Sequence, residues 1–155
     1  MPGTLEDYAA AVNHVISICR DAEQGFRGAA NAAKESELKD MLEQYSVLHG
    51  GFAAELQEAV KAMGFDSTSA AGAAGVLYAG WIQLKAALDG HDSHSILVEA
   101  ERCEDWCVSR YQEALAINLP VGIRSLLEVQ YKRVQAAHEQ LRSRRDVLAK
   151  NAARL

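Results

Sequence analysis

Proline is almost absent from this sequence, which has two prolines, Pro2 and Pro120, among 155 residues. Because proline interrupts helices, its scarcity leaves long stretches in which helices can form. Aromatic residues are also few, at 6%, whereas alanine is abundant. No apolar run reaches the length of a membrane span, and the N-terminus lacks the basic and apolar regions of a signal peptide. These absences predict a cytoplasmic, helical protein with no membrane partner.

An excess of positive charge is lacking as well, since the net charge is −5 and the pI about 5.5. A nucleic-acid partner is therefore not expected. The one basic cluster, "KRVQAAHEQLRSRRDVLAK" at 132–150, is interpreted as the exposed face of a C-terminal helix, with a partner-binding patch as the alternative. The three cysteines are an odd number. Buried reduced thiols are favoured over a redox or metal pair of Cys103 and Cys107.

The spacing of apolar residues predicts four long helices of similar length. Thr4 and Asp7 form a capping-box pattern at the first N-terminus, Ser36 is the expected cap of the second helix, and Gly64 is its expected C-terminal glycine. A short extra helix is predicted at 76–90, in the connection between the second and third long helices. The predicted long helices run from about Thr4 to Ala33, Ser36 to Gly64, Ser93 to Asn118 and Val121 to Lys150.

The lengths of the turns predict how these helices are arranged. Two tight turns make the first and second helices antiparallel, and likewise the third and fourth. The middle connection is long enough to travel the length of the bundle, as in folds with one crossover. The sequence therefore predicts an all-α, ferritin-like four-helix bundle, with residues 1–155 forming a single domain.

Each long helix directs one polar residue into its apolar face. These residues are Glu23, His49, Glu104 and His138, and counting from the turns places all four at about the same height in the bundle. Buried carboxylates are costly unless they are paired or bind a metal. Two glutamates and two histidines around one point could hold a divalent transition metal ion such as iron, zinc or manganese. Two buried ion pairs, Glu104 with His138 and Glu23 with His49, would satisfy the same residues without any metal.

Other polar residues are expected to play smaller parts. Gln130 and Tyr131 would form hydrogen bonds to the metal ligands. Asp21 and Glu99 are predicted on faces turned towards solvent. No catalytic residue is assigned, because the sequence contains no phosphate-binding glycine loop and no recognisable nucleophile with its base.

Several segments, among them "CRDAEQGFRGAA", "FAAELQEAV", "YQEALAINLP" and "QYKRVQAAHEQLRSRRD", resemble in order a bacterial ferritin-like four-helix-bundle family of unknown function. The resemblance runs from about residue 5 to residue 146, so it implies the fold but no activity. Di-iron members of the wider ferritin-like superfamily use a glutamate on the first and third helices and Glu-x-x-His on the second and fourth.

This sequence matches the di-iron pattern only in part. The resemblance implies ligand roles for Glu23, His49, Glu104 and His138. The two bridging glutamates are absent, because Ser46 and Gln135 stand in their positions, so a di-iron centre is not expected. We predict a bundle with a reduced layer for one metal ion, assembled as a homo-oligomer, with a dimer expected. The alternative is a non-catalytic interaction or stress-related module in which the polar layer is purely structural.

Overall fold

The computed structural model describes residues 3–65 and 92–153. These residues form four long helices, as predicted, and no strand. The predicted short helix at 76–90 lies outside the described residues. The helices are α1 (Leu5–Ala32), α2 (Ser36–Ala62), α3 (Ser93–Leu115) and α4 (Val121–Ala153).

The ends of α1 and α2 follow from local side-chain and backbone chemistry. The predicted capping box is present, because the Thr4 hydroxyl accepts from the Asp7 amide and the Asp7 carboxylate accepts from the Thr4 amide. Gly64 has a φ of +87°, a conformation that glycine adopts without strain. The amides of Gly64 and Phe65 donate to carbonyls of Lys61 and Val60, which is the Schellman arrangement.

Two predicted boundaries differ from the structure. Ser36 is the first residue of α2 rather than its cap, and the capping residue Glu35 forms no side-chain hydrogen bond there. Helix α3 ends at Leu115, three residues before the predicted end. The Arg124 guanidinium donates to the carbonyls of Leu115 and Ile117, so a side chain from α4 satisfies groups that a longer α3 would have paired internally.

Contacts between the helices define a four-helix bundle with the predicted topology. The Ser46 hydroxyl donates to the carbonyl of Glu23, where α1 and α2 run antiparallel. The hydroxyl of Ser93, the first residue of α3, donates to the side chain of Glu35, which precedes α2. Helices α2 and α3 therefore begin at the same end of the bundle. Helix α2 therefore ends at the opposite end from the start of α3, as a one-crossover connection requires.

Helices α2 and α4 approach each other least closely among the neighbouring pairs. Long side chains span the space between them. Tyr45 donates to Gln140, Gln130 donates to the carbonyl of Phe52, and Arg133 lies 5.3 Å from the centre of the Phe52 ring. This separation leaves room for large polar side chains inside the bundle.

Two predictions about exposure are wrong. Asp21 is 4% exposed and Glu99 3%, although both were expected in solvent. Helix α1 is buried on more than the face that it turns towards α2, because Ile18 and Gly25, on the same side as Asp21, are buried too. A helical wheel with a single buried face therefore does not describe this helix. Among the described residues, no helix combines the length and apolarity needed to cross a membrane.

Candidate metal centre

His49 of α2 and Glu104 of α3 face each other in the centre of the bundle. Both side chains are completely buried, and the imidazole Nε2 contacts the carboxylate Oε1. The predicted heights of these two residues are therefore confirmed by direct contact. Apolar residues one turn away on each helix, including Phe52 and Ala100, are buried too, so the pair lies within the hydrophobic core.

Aromatic rings enclose the imidazole. The Phe26 ring stacks on it at a centroid distance of 5.5 Å, and the Phe52 ring meets it edge-on at 5.8 Å. Burial alone lowers the pKa of His49, but attraction to the Glu104 carboxylate, which Nε2 contacts, and the nearby Cys19 thiol outweigh burial and raise this pKa well above its usual value. This shift favours the protonated form of His49 when no metal ion is bound.

Each partner of this pair keeps one polar atom without a hydrogen bond. These atoms are Nδ1 of His49 and Oε2 of Glu104. A buried polar atom without a partner is costly, so such atoms call for an explanation. Oε2 has a lone pair that a metal ion can bind, and Nδ1 offers one as soon as the imidazole has lost a proton.

The thiol of Cys107 completes a group of three potential ligands. One ligand atom from each of His49, Glu104 and Cys107 lies within 4.8 Å of the others, and all three residues are buried. The sequence predictions missed Cys107 as a ligand because it was counted as part of the apolar face. The signal was present, since residues three apart on a helix share a face and Cys107 follows Glu104 by three positions.

Two further thiols border this group. The Cys19 thiol lies 3.3 Å from the Tyr111 hydroxyl, and Cys103 lies one turn before Cys107 on α3. Interaction with the Cys103 thiol, burial and the nearby Glu104 carboxylate raise the pKa of the Cys107 thiol well above its usual value. All three cysteines are free and buried, as expected.

A chain of hydrogen bonds leads from these thiols towards α4. The Gln130 amide nitrogen donates to the Phe52 carbonyl at 3.4 Å, so its oxygen is left to accept from the Tyr111 hydroxyl at 2.7 Å. Tyr111 thus donates to Gln130, and its oxygen can accept from Cys19. Burial, followed by Cys19, strongly raises the pKa of Tyr111, which keeps the hydroxyl protonated.

Glu23, a predicted ligand, lies at the interface of α1 and α2. Its carboxylate accepts from Arg20 at 3.1 Å and is 4.0 Å from Arg27, and its side chain is 22% exposed. A Cβ atom on Gly50 would come within 2.1 Å of this carboxylate, so the glycine allows Glu23 to lie against the α2 backbone. Arginines rather than His49 are the partners of this carboxylate.

His138, the fourth predicted ligand, lies between α3 and α4. Its Nε2 is 2.5 Å from Asp105 and 3.9 Å from Glu101, and its Nδ1 is 3.6 Å from Glu139. The structure therefore brings His49 and Glu104 together and places Glu23 and His138 among other partners. Arg145 lies 2.5 Å from Glu101, which closes a network of ion pairs along this seam.

Gln130 and Tyr131, which were predicted to form hydrogen bonds to the ligands, lie in different surroundings. Gln130 is buried and takes part in the hydrogen-bond chain through Tyr111 described above. The Tyr131 hydroxyl instead accepts from Gln112 near the surface, and its ring packs beside Tyr111 with the centroids 6.3 Å apart. Among the described residues, Gln130 forms hydrogen bonds with Tyr111 and with the Phe52 carbonyl, and with neither His49 nor Glu104.

The matches to known proteins agree with this architecture. Residues 7–117 match the family described as "Domain of unknown function (DUF2383)". The chain belongs to this family. The solved structure of a Dps1 mutant from Mycobacterium smegmatis is similar to this chain, with a TM-score of 0.74 and 10% sequence identity. The match covers 91% of this chain and 96% of the Dps1 chain, so the ferritin-like four-helix bundle is confirmed. A search of curated proteins gives no match.

Proposed function

We propose that this DUF2383 protein binds one divalent transition metal ion in the core of its bundle, with His49, Glu104 and Cys107 as ligands. The observation that carries the proposal is the convergence of three buried potential ligands, two of which hold a polar atom without a hydrogen-bond partner. Neutral imidazole, carboxylate and thiolate are all ligands of such ions.

The charges support a single ion. Bound as ligands, the carboxylate of Glu104 and the thiolate of Cys107 carry two negative charges, which balance one divalent cation in a core that excludes water. Binding releases the proton shared by His49 and Glu104 and the proton of the Cys107 thiol to solvent. The affinity should therefore rise with pH.

Metal content tests this proposal directly. Mass spectrometry on protein purified without a histidine tag should find about one ion per chain, and Glu104→Gln, which keeps the side-chain size, should lose it. His138→Gln is the matched control, because it changes a histidine paired with a carboxylate outside the core. Glu23→Gln and His138→Gln also test the ligand roles that the sequence predicted for Glu23 and His138. Loss of metal from either variant would support the predicted role of that residue. Metal that stays in Glu104→Gln contradicts the proposal.

The alternative function, a module with a purely structural polar layer, is favoured by one observation. His49 and Glu104 already form an ion pair with each other. In that case a chelator leaves the unfolding temperature unchanged, and the wild-type protein stays metal-free after incubation with zinc, manganese and iron(II). On the metal proposal, a chelator lowers the unfolding temperature of the wild type but not of Glu104→Gln.

The predicted homodimer is part of the same proposal. Apolar side chains are exposed on the outer faces of α2 and α4, with Val47 74% exposed and Val129 60% exposed. Sedimentation measured over a range of protein concentrations would give twice the chain mass if the dimer forms.

A further inference from the structure

The three thiols of this protein lie in or beside the buried group formed by His49, Glu104 and Cys107. Cys19 comes from α1, whereas Cys103 and Cys107 come from α3, and none of the three is accessible to solvent. Cys107 belongs to the group with His49 and Glu104, and Cys103 lies one turn before it on the same helix. Three buried thiols therefore lie in or beside the part of the core that holds His49 and Glu104.

Among the described residues, few carboxylates near this group are available to bind a metal ion. Glu104 is the carboxylate that contacts His49, while Glu23 is held by Arg20 and Glu101 by Arg145. Ser46, at the position of one bridging glutamate in the di-iron pattern, donates to a backbone carbonyl. One carboxylate and one thiolate balance two positive charges, half of what two divalent ions carry. The residues present do not fit a pair of iron ions.

The remaining set of ligands has a recognisable preference. Thiolate is a soft ligand that favours zinc-like ions, imidazole suits the same ions, and carboxylate is accepted by them. Manganese and magnesium favour sets made only of oxygen ligands or rich in them. A site that offers one nitrogen, one oxygen and one sulfur atom thus differs in selectivity from a carboxylate-rich centre.

We infer that the core site takes a single thiophilic divalent cation of the zinc class, with the Cys107 thiolate as a direct ligand. This inference rests on the proposed function and specifies its ligand. The Cys107 thiol loses its proton to solvent when the ion binds, and the Cys103 thiol, one turn away, is placed to donate a hydrogen bond to the resulting thiolate. Cys103 is thus a supporting residue, which sets up a comparison between two buried cysteines on one helix.

Cobalt(II) is a suitable probe, because it replaces zinc and reports sulfur ligation by a charge-transfer band in the near ultraviolet. The experiment titrates cobalt(II) into the full chain after treatment with a chelator. One equivalent should bind and produce the band. Zinc(II) should displace the cobalt at equal concentration, whereas manganese(II) should not displace it even at about tenfold excess.

The matched variants are Cys107→Ser and Cys103→Ser. Cys107→Ser should lose the charge-transfer band and bind cobalt(II) at least about tenfold more weakly, while Cys103→Ser should keep the band. Circular dichroism establishes that each variant is folded before titration. If Cys107→Ser does not fold, the band and the order of metal competition in the wild type still decide the question.

The outcomes separate this inference from the proposed function. Cobalt(II) that binds stoichiometrically without the band overturns thiolate ligation but leaves metal binding in the core intact. A band that survives in Cys107→Ser and disappears in Cys103→Ser overturns the role of Cys107. Displacement of cobalt(II) by manganese(II) overturns the zinc-class preference. Failure of the wild type to bind any cobalt(II) overturns the proposed function itself.

Discussion

Two histidine–carboxylate pairs in this bundle contain the same chemical groups in opposite surroundings. His49 and Glu104 lie completely inside the core, among aromatic rings and thiols. His138 and Asp105 lie at the seam of α3 and α4, where the Asp105 side chain is 60% exposed. Within residues 3–65 and 92–153, the first pair has unpartnered polar atoms and no salt bridge besides its own, whereas the second belongs to a network that includes Arg142 and Arg145.

The difference shows why burial, rather than residue type, marks the candidate site. Water and neighbouring charges can satisfy any lone pair at the seam, so no further ligand is needed there. Inside the core the same lone pairs depend on the protein or on a bound ion. A buried ion pair also loses hydration that its mutual attraction restores only in part. The core pair is therefore expected to be costly when broken and responsive to metal, and the seam pair to be neither.

The largest effect is expected when one partner of the core pair is removed. Glu104→Ala leaves His49 buried without its counter-charge and should lower the free energy of unfolding by about 3–5 kcal/mol. Asp105→Ala, the matching change at the seam, should cost no more than about 1 kcal/mol. Urea unfolding of both variants in the presence of a chelator measures the difference, and equal losses would contradict the comparison.

A double variant sharpens this first prediction. Replacing both core partners by leucine removes both charges and leaves no orphaned ion, so it should recover most of the stability lost in Glu104→Ala. The same double variant should bind no metal, because two ligands are gone. A double variant less stable than Glu104→Ala would mean that packing around the rings, rather than charge, dominates at this position.

A buried carboxylate that has no ion-pair partner in the described part of the chain extends the comparison to pH. Burial raises the pKa of Asp21 from 3.8 to about 6, and its Oδ1 has no hydrogen-bond partner. The folded protein holds this proton more tightly than the unfolded chain, so the contribution of Asp21 to stability is greatest below about pH 4 and is lost as the pH rises through about 6. Asp21→Asn should stabilise the protein by about 1–3 kcal/mol at pH 8 and give no gain at pH 4.

The control for this change is Asp40→Asn, because Asp40 is exposed on α2. Its effect on the free energy of unfolding should stay within about 0.5 kcal/mol at both pH values. Urea unfolding at pH 4 and pH 8 provides the four comparisons. A gain for Asp21→Asn that is the same at both pH values would show that the Asp21 carboxyl is not strained by ionisation.

Neighbouring glycines on α2 isolate the contribution of Glu23. Alanine is favoured over glycine in a helix by about 1 kcal/mol. A Cβ atom on Gly51 would have no neighbour within 4 Å among the described residues. Gly51→Ala should therefore gain close to that amount. Gly50→Ala must displace the Glu23 carboxylate from Arg20, so it should gain less or nothing. Thermal unfolding of both variants gives the contribution of this contact, and equal gains would mean that Glu23 moves aside without loss.

The sequence predicted the helices and the meeting of His49 with Glu104 because both follow from periodicity and from counting residues from turns. The same angular count placed Glu23 and His138 on inward faces, but it could not say which neighbour a side chain at the edge of a face selects. Arg20 is one turn from Glu23, and Asp105 lies across the seam from His138. Cys107 was overlooked because a thiol counts as apolar in a hydrophobic pattern, although it is also a metal ligand.

The smallest effect is expected at the seam, where salt provides the means of measurement. His138 is 17% exposed, and its partner Asp105 is mostly in water, so ions in solution can screen their attraction. His138→Gln should cost less than about 1 kcal/mol at low ionic strength, and this cost should shrink towards zero in 1 M salt. The corresponding cost of His49→Gln should hardly change, because dissolved ions do not enter the core. Unfolding of both variants at low and high salt measures these costs, and a loss for His138→Gln that persists in 1 M salt would mean that the seam pair behaves as a buried one.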